Sequence, residues 1–394
     1  MSELEATLWD VVILGAGPAG GLLASLLSSA GWRTLLVEKR LFPRTKVCGC
    51  CLNERGLQTL QRSGLGAIAS LASHRAPTRL QLSARGVGRC SRVAVQLEGG
   101  GVISRSVLDA KLAQTAVANG AVFLNPCEGR VETRSESGAS ADCKEVRLRF
   151  QGTSRRVRAR CVAVATGLTY SPFEVSRHRA SYLGASTRLP EALLSPHEIR
   201  MGWSAAGYLG MVVLDDGSTN LAAALAPAFR RSCGGVGAAA QMIAREAGML
   251  ETEIDLEEVL GGAQWRGTPL LSCRAQTVAC DRVFLLGDAA GFVEPLTGEG
   301  ISWALDAAEA LAAILLSERC LRRAERKWQQ CSVARLDASR RRCRMITTVT
   351  RYPSVMFGGI KLLRSGLISR TLVSRYVFPR SGSRSSCNGG EHAV

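Results

Sequence analysis

Histidine is scarce in this chain. The four present, His74, His178, His197 and His392, lie far apart and lack metal-ligand spacing, so no metal site is expected. Long apolar runs are missing as well. The nearest, Trp303 to Leu316, is interrupted by Asp306 and Glu309 and falls short of the roughly 18 apolar residues that a membrane-spanning helix needs. Met1 to Leu8 carries Glu3 and Glu5 and has neither a basic start nor a small-residue cleavage site, so no secretory signal is read and a cytoplasmic location is expected. Zinc-finger spacing, RNA-binding signatures and interleaved basic and aromatic residues are absent, which argues against nucleic acid as a partner. Acidic residues are in short supply: 33 Asp/Glu face 50 Lys/Arg, leaving +17. That imbalance is local, because residues 319–394 hold 17 Lys/Arg and 3 Asp/Glu, and so +14 of it.

What is present is an ordinary globular composition, 46% hydrophobic and 21% charged, over 394 residues. At roughly 100–200 residues per domain, this length implies two or three lobes with a substantial core. The 14 cysteines are scattered, with apolar neighbours at Cys161 and basic ones at Cys331 and Cys343, and read mostly as reduced thiols.

Residues 9–39 read as one βαβ unit. An apolar strand from Trp9 to Leu14 meets Gly15-Ala-Gly17-Pro18-Ala19-Gly20, then an Ala/Leu/Ser helix to Ala30, then a second strand from Trp32 to Val37 that closes on Glu38-Lys39. Gly15 permits the tight turn, Gly17 lets a pyrophosphate approach the backbone, and Gly20 allows close packing of helix on strand. The helix N-terminus offers N–H donors and partial positive charge. Glu38 stands where a carboxylate accepts hydrogen bonds from ribose hydroxyls and repels a 2′-phosphate. The ligand contains adenosine diphosphate, with NAD and FAD both open from this unit alone.

A second motif lies near the other end. Asp281 to Leu286 is a buried-strand pattern leading into Gly287-Asp288-Ala-Ala-Gly291, then Pro295-Leu-Thr-Gly298-Glu-Gly300-Ile301 and a helix to about Leu316. This resembles the second FAD motif of the flavoprotein monooxygenase and geranylgeranyl reductase superfamily. The resemblance implies that Asp288 reaches the ribityl and pyrophosphate portion of FAD, with Gly287, Pro295, Gly298, Gly300 and Ile301 beside the cofactor. Physically, the two later glycines let backbone pass against a flat ring, and the helix behind them stabilises the anionic edge of reduced flavin. The pair of motifs implies FAD held by a domain built from both ends of the chain, with a substrate domain inserted between them.

The segment Arg44-Thr-Lys46-Val-Cys48-Gly-Cys50-Cys51 is similar to the Lys-x-Cys-Gly-Gly stretch of geranylgeranyl reductase-like proteins, except that Cys50 stands in place of the second glycine. The resemblance places Cys48 near the isoalloxazine and Arg44 or Lys46 near phosphate. Cys48 is the candidate catalytic residue. Cys48 and Cys51 form C-x-x-C, which leaves open a redox dithiol or a plain small-residue loop. Arg105 and Asp109 fit the superfamily's R-x-x-x-D-x-x-L helix, whose Arg contacts the cofactor. Thr166-Gly167 follows a buried strand where aromatic hydroxylases of the superfamily carry Asp-Gly, and both residues can approach the pyrophosphate. The Trp-x-Trp signature of flavin halogenases is missing. Gly235 to Ala240 fits G-x-G-x-x-A, but Arg230-Arg231-Ser232 precedes it in place of a strand, so a second dinucleotide site is not expected. Tyr208, Glu294 and Glu299 are available acids, with surface or packing roles expected for each.

The expected fold is α/β: a Rossmann-like FAD-binding domain of the glutathione reductase type, an inserted antiparallel-sheet substrate domain and a helical C-terminus. Its divisions are FAD-binding segments 1–75, 102–170 and 281–330, an inserted β segment 76–101, the substrate domain 171–280, and a basic C-terminal region 331–394 with a disordered end. The basic region reads as short amphipathic helices that pack over the substrate domain or, through residues 331–380, touch an anionic membrane. The resemblance implies an FAD-dependent oxidoreductase acting on a hydrophobic organic substrate with NADH or NADPH as electron donor. Monooxygenase-type chemistry is the first reading. Geranylgeranyl reductase-like saturation of isolated C=C bonds is the alternative, and a flavin-binding protein without turnover is the third.

Overall fold

The computed structural model of the chain describes residues 2–86, 89–132, 142–179, 181–249, 256–294, 296 and 298–369. Five parallel strands run side by side in the order Val283–Leu285, Thr153–Val164, Leu8–Leu14, Thr34–Val37 and Val122–Leu124. Their aliphatic runs, such as Val11 to Ile13 and Cys161 to Val164, are buried throughout, which suits strands covered on both faces. The helix Pro18–Ser29 packs against both Arg105–Ala118 and Gly300–Ser317. Gly15 sits at φ +103°, and a Cβ on Gly20 would lie 1.8 Å from the Gly15 carbonyl oxygen, so both residues must be glycine for helix and strand to meet.

The second sheet has seven strands: Arg266–Leu270, Leu183–Leu189, Thr219–Leu225, Gly207–Val213, Glu198–Ser204, Arg79–Arg85 and Cys90–Gln96. All neighbours pair antiparallel except Glu198–Ser204 with Arg79–Arg85, which are parallel. Residues 76–101 therefore supply the last two strands of this second sheet. The helix Val236–Glu246 presses Ala239, Ile243 and Ala244 into the core on one side of this sheet. Gly235 follows the short helix Pro227–Ser232, so no strand feeds its glycine pattern.

The C-terminal region departs from the expected short helices. Leu321–Thr350 is one helix of 30 residues, so the expected boundary at 330/331 falls inside a continuous element. The physical reason is composition: no Gly or Pro interrupts these residues, and Arg, Lys, Gln, Ala and Leu are good helix formers. Among its described side chains, Arg341 and Arg344 are exposed while Trp328, Cys331 and Cys343 are buried. Trp328 joins the core of the parallel-sheet domain, and its Nε1 donates to Leu285 O at 2.9 Å. Pro353 opens the next helix, Pro353–Arg364, which lays Ile360 and Leu363 on the strands Arg79–Arg85 and Cys90–Gln96. The far end of the basic region, residues 370–394, lies outside the described residues. Among the described residues one helix, Gly300–Ser317, is long and apolar enough to cross a membrane, and 72% of it is buried inside the fold.

Because the long helix completes the first domain's core, Trp328→Ala should cost about 3–5 kcal/mol in a urea unfolding titration. Arg341→Ala, on the solvent face, should stay within about 0.5 kcal/mol of the parent.

Candidate active site

A cavity of about 1050 Å³ lies between the two sheets, near the upper end for small-molecule sites. Gly15, Gly17, Pro18, Ala19, Glu38, Lys39, Arg44, Cys48, Arg105, Thr166, Gly167, Gly287, Asp288, Gly298, Gly300 and Ile301 all line it. Gly20 lies behind this wall, packed on Gly15. Pro295 lies outside the described residues.

Glu38 ends the second parallel strand and is buried, accepting the Ala16 N–H at 3.1 Å and the Arg40 N–H at 2.9 Å. Arg44 meets it at 3.2 Å and also meets Asp109 at 3.0 Å. Asp109 has no solvent exposure and takes two hydrogen bonds from Arg105, at 2.8 and 3.0 Å. Burial opposes the charge on Arg105, but the Asp109 carboxylate beside it more than compensates and holds the guanidinium firmly protonated. Lys46 stands 3.9 Å from Asp288. Desolvation, joined by repulsion from Arg105 and Arg44, pushes its ammonium below the ordinary range against the pull of Asp288.

These residues fit a dinucleotide pyrophosphate. Arg44 Nε is buried without a hydrogen-bond partner. A Cβ on Gly17 would lie 3.5 Å from Arg105 Nη2 and 3.7 Å from Arg44 Nη2, so bare backbone faces two guanidinium groups across a narrow gap.

Of the two readings left open for the cysteine loop, the structure does not pair Cys48 with Cys51. Cys50 adopts φ +60°, a left-handed conformation that explains why similar proteins carry glycine there. Cys48 Sγ accepts the Cys50 N–H at 3.3 Å, while the Cys51 thiol donates to Gly49 O at 3.4 Å. The partner of Cys48 is thus Cys50. A hydrogen bond from the Cys50 thiol, helped by Arg105, draws the Cys48 thiol below its ordinary range despite burial. Burial beside Cys48 pushes Cys51 up to about 12. Asn220 Nδ2 donates to Cys48 O at 3.0 Å and ties this loop to the second sheet.

Several residues emerge only in three dimensions. Asp109 was visible as the second member of its helix motif, yet its grip on Arg44 was not. Glu294 and Glu299, expected at the surface or in packing, are buried at 1% and 3% exposure. The reason is that the long C-terminal helix covers them: the Cys343 thiol donates to Glu299 at 3.3 Å, and Arg351 reaches Glu294 at 3.5 Å.

A parallel sheet with a glycine turn, an acid closing its second strand and a return segment from the far end of the chain define a flavoprotein fold. Comparison with known proteins agrees. A profile described as an FAD binding domain matches residues 9–171. The chain is 30% identical over 356 residues to menaquinone reductase of Mycobacterium tuberculosis, a match spanning 83% of this chain and 82% of that protein. It is 27% identical over 365 residues to digeranylgeranylglycerophospholipid reductase of Methanosphaerula palustris, across 84% of this chain and 80% of that one. Among solved structures, a myxobacterial chondrochloren halogenase superposes with TM-score 0.72 at 17% identity, over 94% of this chain and 92% of that chain, a likeness of fold. The chain belongs to the FAD-dependent oxidoreductases of the flavoprotein monooxygenase and geranylgeranyl reductase superfamily.

Two measurements probe this site. Asp109→Asn, by releasing two buried guanidinium groups, should weaken FAD binding about 10-fold or more in a fluorescence titration of the apoprotein, with circular dichroism unchanged. A lowered thiol pKa means more thiolate at acidic pH, so alkylation of Cys48 by iodoacetamide should show a midpoint below the roughly 8.5 of a free thiol. Mass spectrometry should find Cys51 unlabelled, and a Cys48 midpoint at or above the free value would refute the assignment.

Proposed function

We propose that this enzyme saturates an isolated C=C bond in a long, apolar, isoprenoid-type substrate, with NADH or NADPH as the electron donor. The observation that carries this reading is the cavity wall contributed by the second sheet and the segments next to it. Leu80, Ile199, Met201, Val212, Leu271 and Phe292 line it, a surface that suits a hydrocarbon chain. The two named reductases to which the chain is similar support it, since menaquinone and digeranylgeranylglycerophospholipid both carry isoprenoid chains. Monooxygenase chemistry, the first reading from sequence, has weaker support: its structural neighbours share the fold at low identity, and the Asp-Gly turn of the hydroxylases is Thr166-Gly167 here.

In this reading Gly17, Arg44 and Arg105 hold the FAD pyrophosphate, Glu38 and Lys39 the adenosine end, and Asp288 the ribityl side. Thr166 and Gly167 border the pyrophosphate. The bare backbone at Gly287, Gly298 and Gly300 leaves room for the ring system, with Cys48 and Ile301 at its edge. Bound FAD supplies the hydride. The apolar wall excludes water from the reacting carbons and orients the chain.

An isoprenoid substrate resides in lipid, and we place the enzyme at the surface of an anionic membrane. Met345, Val349, Tyr352, Val355 and Leu362 are exposed on the C-terminal helices among basic residues, which supports such docking. Sedimentation with phosphatidylglycerol vesicles should be strong at low salt, weaker at high salt, and lost when Met345, Val349 and Val355 are changed to Ser.

The reaction is tested without oxygen. Protein purified with FAD and reduced by NADPH or dithionite should be reoxidised by a polyprenyl quinone under argon, and mass spectrometry of the product, after its ring is reoxidised to the quinone in air, should show two added hydrogens in the side chain. A hydroxylated product that forms only when oxygen is admitted would establish the monooxygenase reading in its place.

A further inference from the structure

We propose that Tyr208 delivers the proton that accompanies hydride addition, and that Glu294, positioned by Arg351 just past the end of the long C-terminal helix, refills it. This rests on the reductase reading above. Tyr208 belongs to the strand Gly207–Val213, lines the cavity, and packs its ring beside Trp203 at 6.2 Å between centroids. Its hydroxyl lies beside the Glu294 carboxyl, each bearing on the other's protonation. Glu294 stands at the start of the loop that leads to Gly298 and Gly300, so the pair joins the substrate wall to the flavin side of the cavity. Behind it, Arg351 lies 3.5 Å from Glu294 and stacks 4.7 Å from the centroid of the Tyr182 ring. The Arg351 side chain is 26% exposed, so the buried carboxyl lies one side chain from water.

The electrostatics suit a proton store. Burial raises the affinity of Glu294 for its proton, while Arg351 and the Tyr208 hydroxyl oppose this. Tyr208 is likewise held protonated, by burial and by Glu294, with Cys343 and Tyr182 as the other titratable groups facing it. Saturating a C=C bond adds one hydride and one proton. The hydride brings the electron pair from reduced flavin, which pyridine nucleotide has reduced, and makes one C–H bond. The proton leaves the Tyr208 oxygen and makes the other. The Glu294 proton then passes to the phenolate, and water restores it to the carboxylate.

The alternative is a polar cluster that merely braces the C-terminal helix, and two readouts separate the two. Infrared spectra of the holoenzyme should show a protonated carboxyl band that persists above the pH range of an ordinary glutamate and that Glu294→Gln removes. Arg351→Met takes away the positive charge that favours the carboxylate, so that band should persist to higher pH. In single turnover with menaquinone in detergent micelles, Tyr208→Phe and Glu294→Gln should each slow the appearance of side-chain-saturated product about 100-fold or more. FAD affinity and the rate of flavin reduction should stay unchanged, and slowing in deuterium oxide should be present in wild type and altered in Tyr208→Phe. Side-chain saturation by Tyr208→Phe at the wild-type rate overturns the relay, as does the absence of the Glu294 band. Failure of the wild-type enzyme itself to saturate the menaquinone side chain, with the band present, removes the reductase reading and the relay's catalytic role with it.

Discussion

A single carboxylate with no exposure, Asp109, fixes the geometry on which the cofactor side of this protein depends. It binds Arg105 of its own helix and Arg44 from the loop after the second strand, and Arg44 in turn reaches Glu38. Buried charges survive only when paired, since an isolated one costs several kcal/mol. These four residues therefore hold one another in place, and with them three separate stretches of chain around the glycine turn. Ion pairing within the fold orders the two guanidinium groups, which lowers the cost of ordering them when a ligand binds.

Much of this was legible from sequence because its determinants are local. Gly15 and Gly20 are demanded by a turn and a close contact within six residues, and Glu38 closes the same βαβ unit. The second motif is legible for the same reason. The rest depends on contacts between distant residues: Arg44 with Asp109, Cys343 with Glu299, Arg351 with Glu294. No periodicity marks an acid as buried when the element covering it lies more than 40 residues further on. The cysteine loop shows another limit. The departure from glycine at Cys50 was visible, but only its positive φ explains why the position matters and why its thiol, and not that of Cys51, meets Cys48.

The basic C-terminal region was misread in length because its charge draws attention from its spacing. Trp328, Cys331 and Cys343 lie on the buried side of one helix, and Arg322, Arg323, Arg326, Arg341 and Arg344 are exposed on it. The charge is thus a property of a solvated face on an element whose opposite face is core. Its excess says nothing about the chemistry, and the buried face says a good deal.

That long helix serves both domains. Near its start it seals the parallel-sheet core through Trp328; near its end Cys343 and Arg351 reach the two acids that flank the flavin-side loop. The loop is therefore held from behind by the same element whose next neighbour, Pro353–Arg364, covers the substrate sheet. No Gly or Pro interrupts the chain from Leu321 to Tyr352, so Trp328, Cys343 and Arg351 are carried on one continuous stretch that fixes both domains to the two acids.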